Sequence, residues 1–78
     1  MKSSLTVIAG GNSGIGYEIA KSFFTDGSDV VILGRNNDKN KNAIKSIISQ
    51  VDSNSNISSY VCDMSSHADI KNIFSKIK

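Results

Sequence analysis

With one cysteine, Cys62, no internal disulfide can form, which fits a reducing compartment. No run approaches the roughly 18 consecutive apolar residues of a membrane-spanning helix. Met1-Lys2-Ser3-Ser4 lead straight into a short apolar run, with no signal-peptide core. By elimination the expected location is cytoplasmic. Neither sign of charge prevails: nine Lys and Arg against seven Asp and Glu leave a formal net charge of +2, too little to argue for nucleic acid or a membrane surface. His67 is the one histidine and reads as a surface residue; with Cys62 and scattered carboxylates it makes no metal site. Pro and Trp are absent, and no function follows from that. The chain is 38% hydrophobic and 21% charged, the balance of a globular domain and not of a disordered chain. A chain of 78 residues buries only about 60% of its unfolded surface, so a thin stability margin is expected.

The chain is organised around Ala9-Gly10-Gly11-Asn12-Ser13-Gly14-Ile15-Gly16. An apolar run, Leu5 to Ile8, precedes it and an amphipathic segment, Ile15 to Phe24, follows. The order is strand, glycine-rich turn, helix. Glycine admits positive φ and lets a ligand approach the backbone. The first N–H groups of a helix have no intrahelical partner, and the helix dipole favours an anion there, so a diphosphate suits the turn. The spacing is G-x-x-x-G-x-G. It is not a P-loop, because Tyr17 and Glu18 follow Gly16 where Lys and Ser or Thr are required, and it is not G-x-G-x-x-G.

Further elements repeat the pattern. On the first helix Ile15, Ile19, Ala20 and Phe23 form the expected core stripe, with Glu18, Lys21 and Ser22 elsewhere; Gly27 suits a left-handed C-terminal cap. Val30 to Leu33 reads as a second, buried strand stopped by Gly34. Asn37 or Asp38 is expected to cap a second helix, whose stripe is Ala43, Ile44, Ile47, Ile48 and Val51. Lys39, Lys41 and Lys45 read as its solvated surface. After a Ser- and Asn-rich loop, residues 52–56, Ile57 to Cys62 reads as a third strand, with Cys62 a small buried hydrophobe. Ser66-x-x-Asp69 reads as a capping box before Ile70, Ile73, Phe74 and Ile77. The prediction is an α/β fold, a partial Rossmann sheet of three parallel strands in the order 3-2-1 alternating with three helices. Right-handed crossovers put the first two helices on one face and send the third toward the other. The first strand then has a bare edge, a template for self-association.

The run "AGGNSGIG" resembles the T-G-x-x-x-G-I-G turn of the short-chain dehydrogenase/reductase family, with Ala9 where that family usually carries Thr. The resemblance spans the chain but only the first part of a family length of roughly 250 residues. Residues 1–78 would thus be the N-terminal part of a dinucleotide-binding domain, without its catalytic part. The family's Asn-Ala-Gly turn, catalytic Ser and Tyr-Lys pair are not in these residues. Tyr17-x-x-x-Lys21 matches Y-x-x-x-K formally, but on the helix after the glycine turn, which is the wrong place. The catalytic residues expected here are therefore none.

The end of the second strand selects the cofactor. An acid there bonds the adenosine 2′-hydroxyl and selects NAD. Here Gly34 is followed by Arg35, with no acid before Asp38. A guanidinium grips a 2′-phosphate through two parallel N–H bonds, so NADP is expected over NAD, as the resemblance also implies. Asn36 and Ser13 would add hydrogen bonds. After the third strand, Asp63-Met64 falls where the family carries an Asp that holds the adenine amino group. The expected cofactor residues are therefore Gly10, Asn12, Ser13, Gly14, Ile15 and Gly16 in the turn, Arg35 and Asn36 after the second strand, and Asp63 and Met64 after the third.

Two function classes follow. The first is the NADP-binding portion of an oxidoreductase moving hydride between nicotinamide and a carbonyl or alcohol, with a small-molecule substrate only once the catalytic segment completes it. The second is a non-catalytic nucleotide-binding or interaction module from a truncated gene. The first expects the missing motifs in coding sequence beyond Lys78. The second expects a stop there and a stable purified product.

Overall fold

A computed structural model describes residues 4–77. Its elements are β1 (Leu5–Ala9), α1 (Gly14–Thr25), β2 (Asp29–Gly34), α2 (Asn37–Gln50), β3 (Ile57–Val61) and α3 (His67–Ile77). The strands form one parallel sheet in the order β1-β2-β3, with Val7 opposite Val31 and Ile32 opposite Ser59. The expected α/β class and strand order are both present. No helix among the described residues is long and apolar enough to cross a membrane.

β2 shows why the sheet holds. It lies between two partners and under helices on both faces, so its side chains alternate between two cores. Val30 and Ile32 join Ile8, Ala20, Phe24, Ala43 and Ile47 under α1 and α2. Val31 and Leu33 join Cys62 and Ile73 under α3. Burial of a Val, Leu or Ile side chain contributes about 1.5–3 kcal/mol, and all four β2 residues are buried, so β2 is the main apolar anchor. Because the crossovers run this way, the C-terminal ends of all three strands and the N-terminal ends of α1 and α2 share one edge of the molecule.

Four local expectations are corrected. The buried face of α1 is Ala20 and Phe24 with Tyr17 packed beside them, whereas Ile15, Ile19 and Phe23 are 82%, 41% and 44% exposed. Helix rotation is set from outside α1: the Tyr17 hydroxyl lies 2.6 Å from Ser46 Oγ and Lys21 Nζ donates to Gln50 Oε1 at 2.5 Å, both on α2. At about 100° per residue, Ile15, Ile19 and Phe23 then fall on the opposite flank of α1 from α2. Second, α2 is capped by Asn36, not by Asn37 or Asp38: Asn36 Oδ1 accepts from Lys39 N at 3.0 Å. Third, Ser66 Oγ does accept from Asp69 N at 3.3 Å, but the Asp69 carboxylate accepts from Asp63 N at 3.2 Å and not from Ser66. Fourth, Ile48 and Phe74 are exposed, each at the rim of its stripe. Gly27 has φ 95, the left-handed cap that was expected.

Candidate functional site

The glycine turn rises from β1 and is tied to β2 by Gly10 N donating to Leu33 O at 2.7 Å. Gly10 and Gly14 have φ of 75 and 59, a region that side chains with a Cβ rarely adopt. Gly16 is required for a different reason. A Cβ there would sit on the Gly10 carbonyl oxygen and 3.2 Å from Gly11 Cα, so α1 packs against its own turn only with hydrogen at that position.

The N-terminus of α1 is open. Ser13 is its N-cap in extended conformation, yet its side chain makes no capping hydrogen bond, and the first turn carries no acid. The earliest helical bond is Tyr17 N to Ser13 O at 3.3 Å. The preceding N–H groups, Ile15 and Gly16 among them, are left for an external acceptor. α2 differs: its first turn is closed by Asn36 and carries Asp38.

Two recesses flank the tip of β2. One, of about 730 Å³, is lined by Asn12, Arg35, Asn36, Asn37, Asp38 and Lys39. The other, of about 410 Å³, is lined by Gly10, Asn12, Leu33, Gly34, Arg35, Cys62, Asp63, Met64 and Ser65. Asn12 and Arg35 line both. Of the residues expected at the site, the second recess therefore gathers Gly10, Asn12, Arg35, Asp63 and Met64, and the first adds Asn36. Ser13 lines neither. Gly14 and Ile15 border a separate, largely apolar recess of about 610 Å³ along α1, so Ile15 reaches the turn through its backbone.

Asp63 is held for acceptance. Its Oδ1 accepts from Ser65 Oγ at 2.7 Å and Ser65 N at 3.0 Å. The Ser65 hydroxyl, then the Ser65 amide, hold its carboxyl below the usual range, and the positive charge of Arg35 adds to this. Beside it Cys62 is fully buried, with Sγ 3.7 Å from Met64 Sδ. Burial pushes its thiol pKa up, as do the carboxylates of Asp69 and Asp63, so it stays a protonated packing group.

One residue escaped the sequence reading. Asn40 lies fully buried in α2, with its Nδ2 donating to Gly34 O at 3.0 Å and its Oδ1 accepting from Asn12 Nδ2 at 2.8 Å. Gly34 is bare for the same reason: a Cβ there would lie 2.5 Å from both Asn12 Nδ2 and Asn40 Oδ1. The signal for Asn40 was its spacing, three and seven residues before Ala43 and Ile47 on the buried stripe. The formal Tyr17–Lys21 pair faces α2, as described above, and lines neither recess at the β2 tip.

Residues 4–78 match the family model described as short chain dehydrogenase. The chain belongs to the short-chain dehydrogenase family. Over 47 residues it is 43% identical to an NADP-dependent (R)-specific alcohol dehydrogenase of Lentilactobacillus kefiri, covering 60% of this chain and 19% of that protein. Among solved structures, a citronellol catabolism dehydrogenase of Pseudomonas aeruginosa PAO1 superposes with a TM-score of 0.85 at 26% identity, covering 95% of this chain and 30% of that one. The L-sorbose reductase of Gluconobacter frateurii, solved with NADPH and L-sorbose, superposes at 0.86 with 22% identity, covering 99% and 28%. This short-chain dehydrogenase chain thus spans about a third or less of the relatives it matches.

Proposed function

We propose that this chain is the NADP-binding N-terminal portion of a short-chain dehydrogenase that moves hydride between a nicotinamide and a carbonyl or alcohol. The observation that carries the reading is the open N-terminus of α1 standing behind a glycine-rich turn, with Arg35 beside it at the end of β2. The fit to a dinucleotide is chemical. The turn offers N–H donors to a diphosphate with no Cβ at Gly10, Gly11, Gly14 and Gly16, while Arg35 offers a guanidinium to a 2′-phosphate. Residue 34, the last of β2, is Gly and carries no carboxylate, and in the recess beside Arg35 the charge of Asp38 is offset by that of Lys39. Asp63 keeps an anionic acceptor for an adenine amino group, and Met64, 43% exposed, offers an apolar surface to the ring. The kefiri alcohol dehydrogenase, NADP-dependent by name, supports the same choice.

When bound, the cofactor supplies the hydride. The residues of this chain bind and orient its adenosine and diphosphate end. Titration with NADP and NAD tests the reading. Weak binding is expected, no tighter than about millimolar, with NADP preferred. Arg35→Asp removes a charge-assisted hydrogen bond of about 1.5–3 kcal/mol, so NADP affinity should fall by about 10- to 150-fold. Equal affinity for the two in the wild-type chain, or an Arg35→Asp variant that keeps its preference, overturns the assignment.

A second reading, an interaction module, has an observation of its own. Leu5, Ile15, Ile19 and Phe23 are exposed, and among the described residues β1 pairs only with β2. Self-association through that side is the outcome it expects.

A further inference from the structure

Asn40 is fully buried, and every polar atom of its side chain has an assigned direction. Its Nδ2 donates to Gly34 O at 3.0 Å and points to Tyr60 O at 3.4 Å. Both partners are carbonyl oxygens, which only accept, so the NH₂ end must face the strands. The Oδ1 end must therefore face Asn12, and Asn12 must meet it with its own NH₂, at 2.8 Å. A flipped Asn12 would set two carbonyl oxygens against each other in a half-buried position. The strand carbonyls thus dictate, through Asn40, which way the Asn12 amide points. What Asn12 has left for a ligand is its carbonyl oxygen and one N–H, in the wall common to both recesses.

We propose that Asn40 is a positioning residue for the nucleotide: it locks the Asn12 amide in one orientation and, with Asn12, keeps the tip of β2 free of any side chain. This rests on the nucleotide-binding reading above. The second half follows from space. The two amides occupy the place where a Cβ of residue 34 would lie, so no carboxylate can be installed there while the pair is intact. The pair couples the diphosphate turn to the end of the strand that reads the ribose.

The test uses the isotope-labelled chain and 2′,5′-ADP as probe, followed by amide chemical shifts. In the wild-type chain one Asn12 side-chain N–H should exchange with solvent more slowly than its geminal partner. Asn40→Leu, similar in volume but without polar atoms, should abolish that difference and weaken 2′,5′-ADP binding by about 3- to 10-fold, a typical coupling for directly bonded residues. Asn12→Ala should weaken it comparably, and the double variant should bind no worse than the weaker single one. A purely structural Asn40 would instead give additive losses, or a lower melting temperature with unchanged affinity; either result overturns the proposal. Should Asn40→Leu lose its dispersed spectrum, the wild-type exchange difference and the Asn12→Ala affinity decide: equal exchange, or an unchanged affinity, overturns it. A wild-type chain that ignores 2′,5′-ADP overturns the nucleotide reading as well. A wild-type chain that binds it as tightly as Asn40→Leu does overturns only the positioning role.

Discussion

Gly16→Ala sets two effects of known size against each other. Within a helix, alanine is better than glycine by about 0.8–1.0 kcal/mol, so propensity alone forecasts a stabilised α1. The structure forecasts the reverse. The new methyl would overlap the Gly10 carbonyl oxygen, with Gly10 C at 2.9 Å and Gly11 Cα at 3.2 Å. These are backbone atoms and cannot rotate aside as a side chain would, and Gly10 is itself fixed by its bond to Leu33 O. Overpacking of this kind costs about 1–3 kcal/mol, and an immovable neighbour argues for the upper part of that range. The net expectation is a loss of about 1–2 kcal/mol after the propensity gain is subtracted. In a domain of this size that lowers the melting temperature by about 4–8 °C per kcal/mol. Urea unfolding followed by far-UV circular dichroism measures it. The midpoint should fall with an unchanged slope, and 2′,5′-ADP affinity should fall too, because the turn can relieve the overlap only by moving off the helix. A midpoint equal to or above the wild type would refute the close-approach argument.

Two further outcomes are expected. Phe24→Ala should cost about 3–5 kcal/mol, a large share of the roughly 4–12 kcal/mol that about 0.05–0.15 kcal/mol per residue allows a chain of this size, so its urea midpoint should fall steeply in the same assay. Phe23→Ala should cost under about 1 kcal/mol, and Ile19→Lys with Phe23→Glu should shift sedimentation toward monomer; equal losses at 23 and 24 would restore the sequence-based helix rotation. For Asp63, the folded carboxyl titrates below its ordinary 3.8, so its contribution is present above that pH and is lost as pH falls through the lower folded value. Asp63→Asn should therefore flatten the acid limb of the melting-temperature profile below about pH 4 and leave its neutral region shaped as before; an unchanged acid limb counts against the Ser65 contacts as the cause.

The strand order and the two-faced sheet were legible because β2 is apolar at every position from Val30 to Leu33, which only double-sided burial explains. The glycine turn was legible because backbone constraints leave a mark in residue type. The rotation of α1 was not legible. Ile15, Ile19 and Phe23 form as regular a stripe as Tyr17, Ala20 and Phe24, and the choice between them is made by α2, thirty residues away. The cap of α2 slipped because Asn36, Asn37 and Asp38 are all competent caps in a row. Asn40 was hidden by its neighbours, since Lys39-Asn40-Lys41-Asn42 reads as solvated surface. Burial of its amide depends on three partners, Asn12, Gly34 and Tyr60, that only the folded sheet assembles.

The unequal ends of α1 and α2 bear on how such a protein changes its preferences. The Asn36 side chain already takes one first-turn amide of α2, that of Lys39, so a charge on the ribose side would be met by flexible side chains, those of Arg35 and Lys39, each encoded by a single codon. On the proposed reading, coenzyme choice is therefore cheap to alter during divergence. On the same reading the diphosphate would be met by peptide groups that every residue carries alike. That grip survives replacement of most side chains around it and yields only when the path of the chain itself is bent.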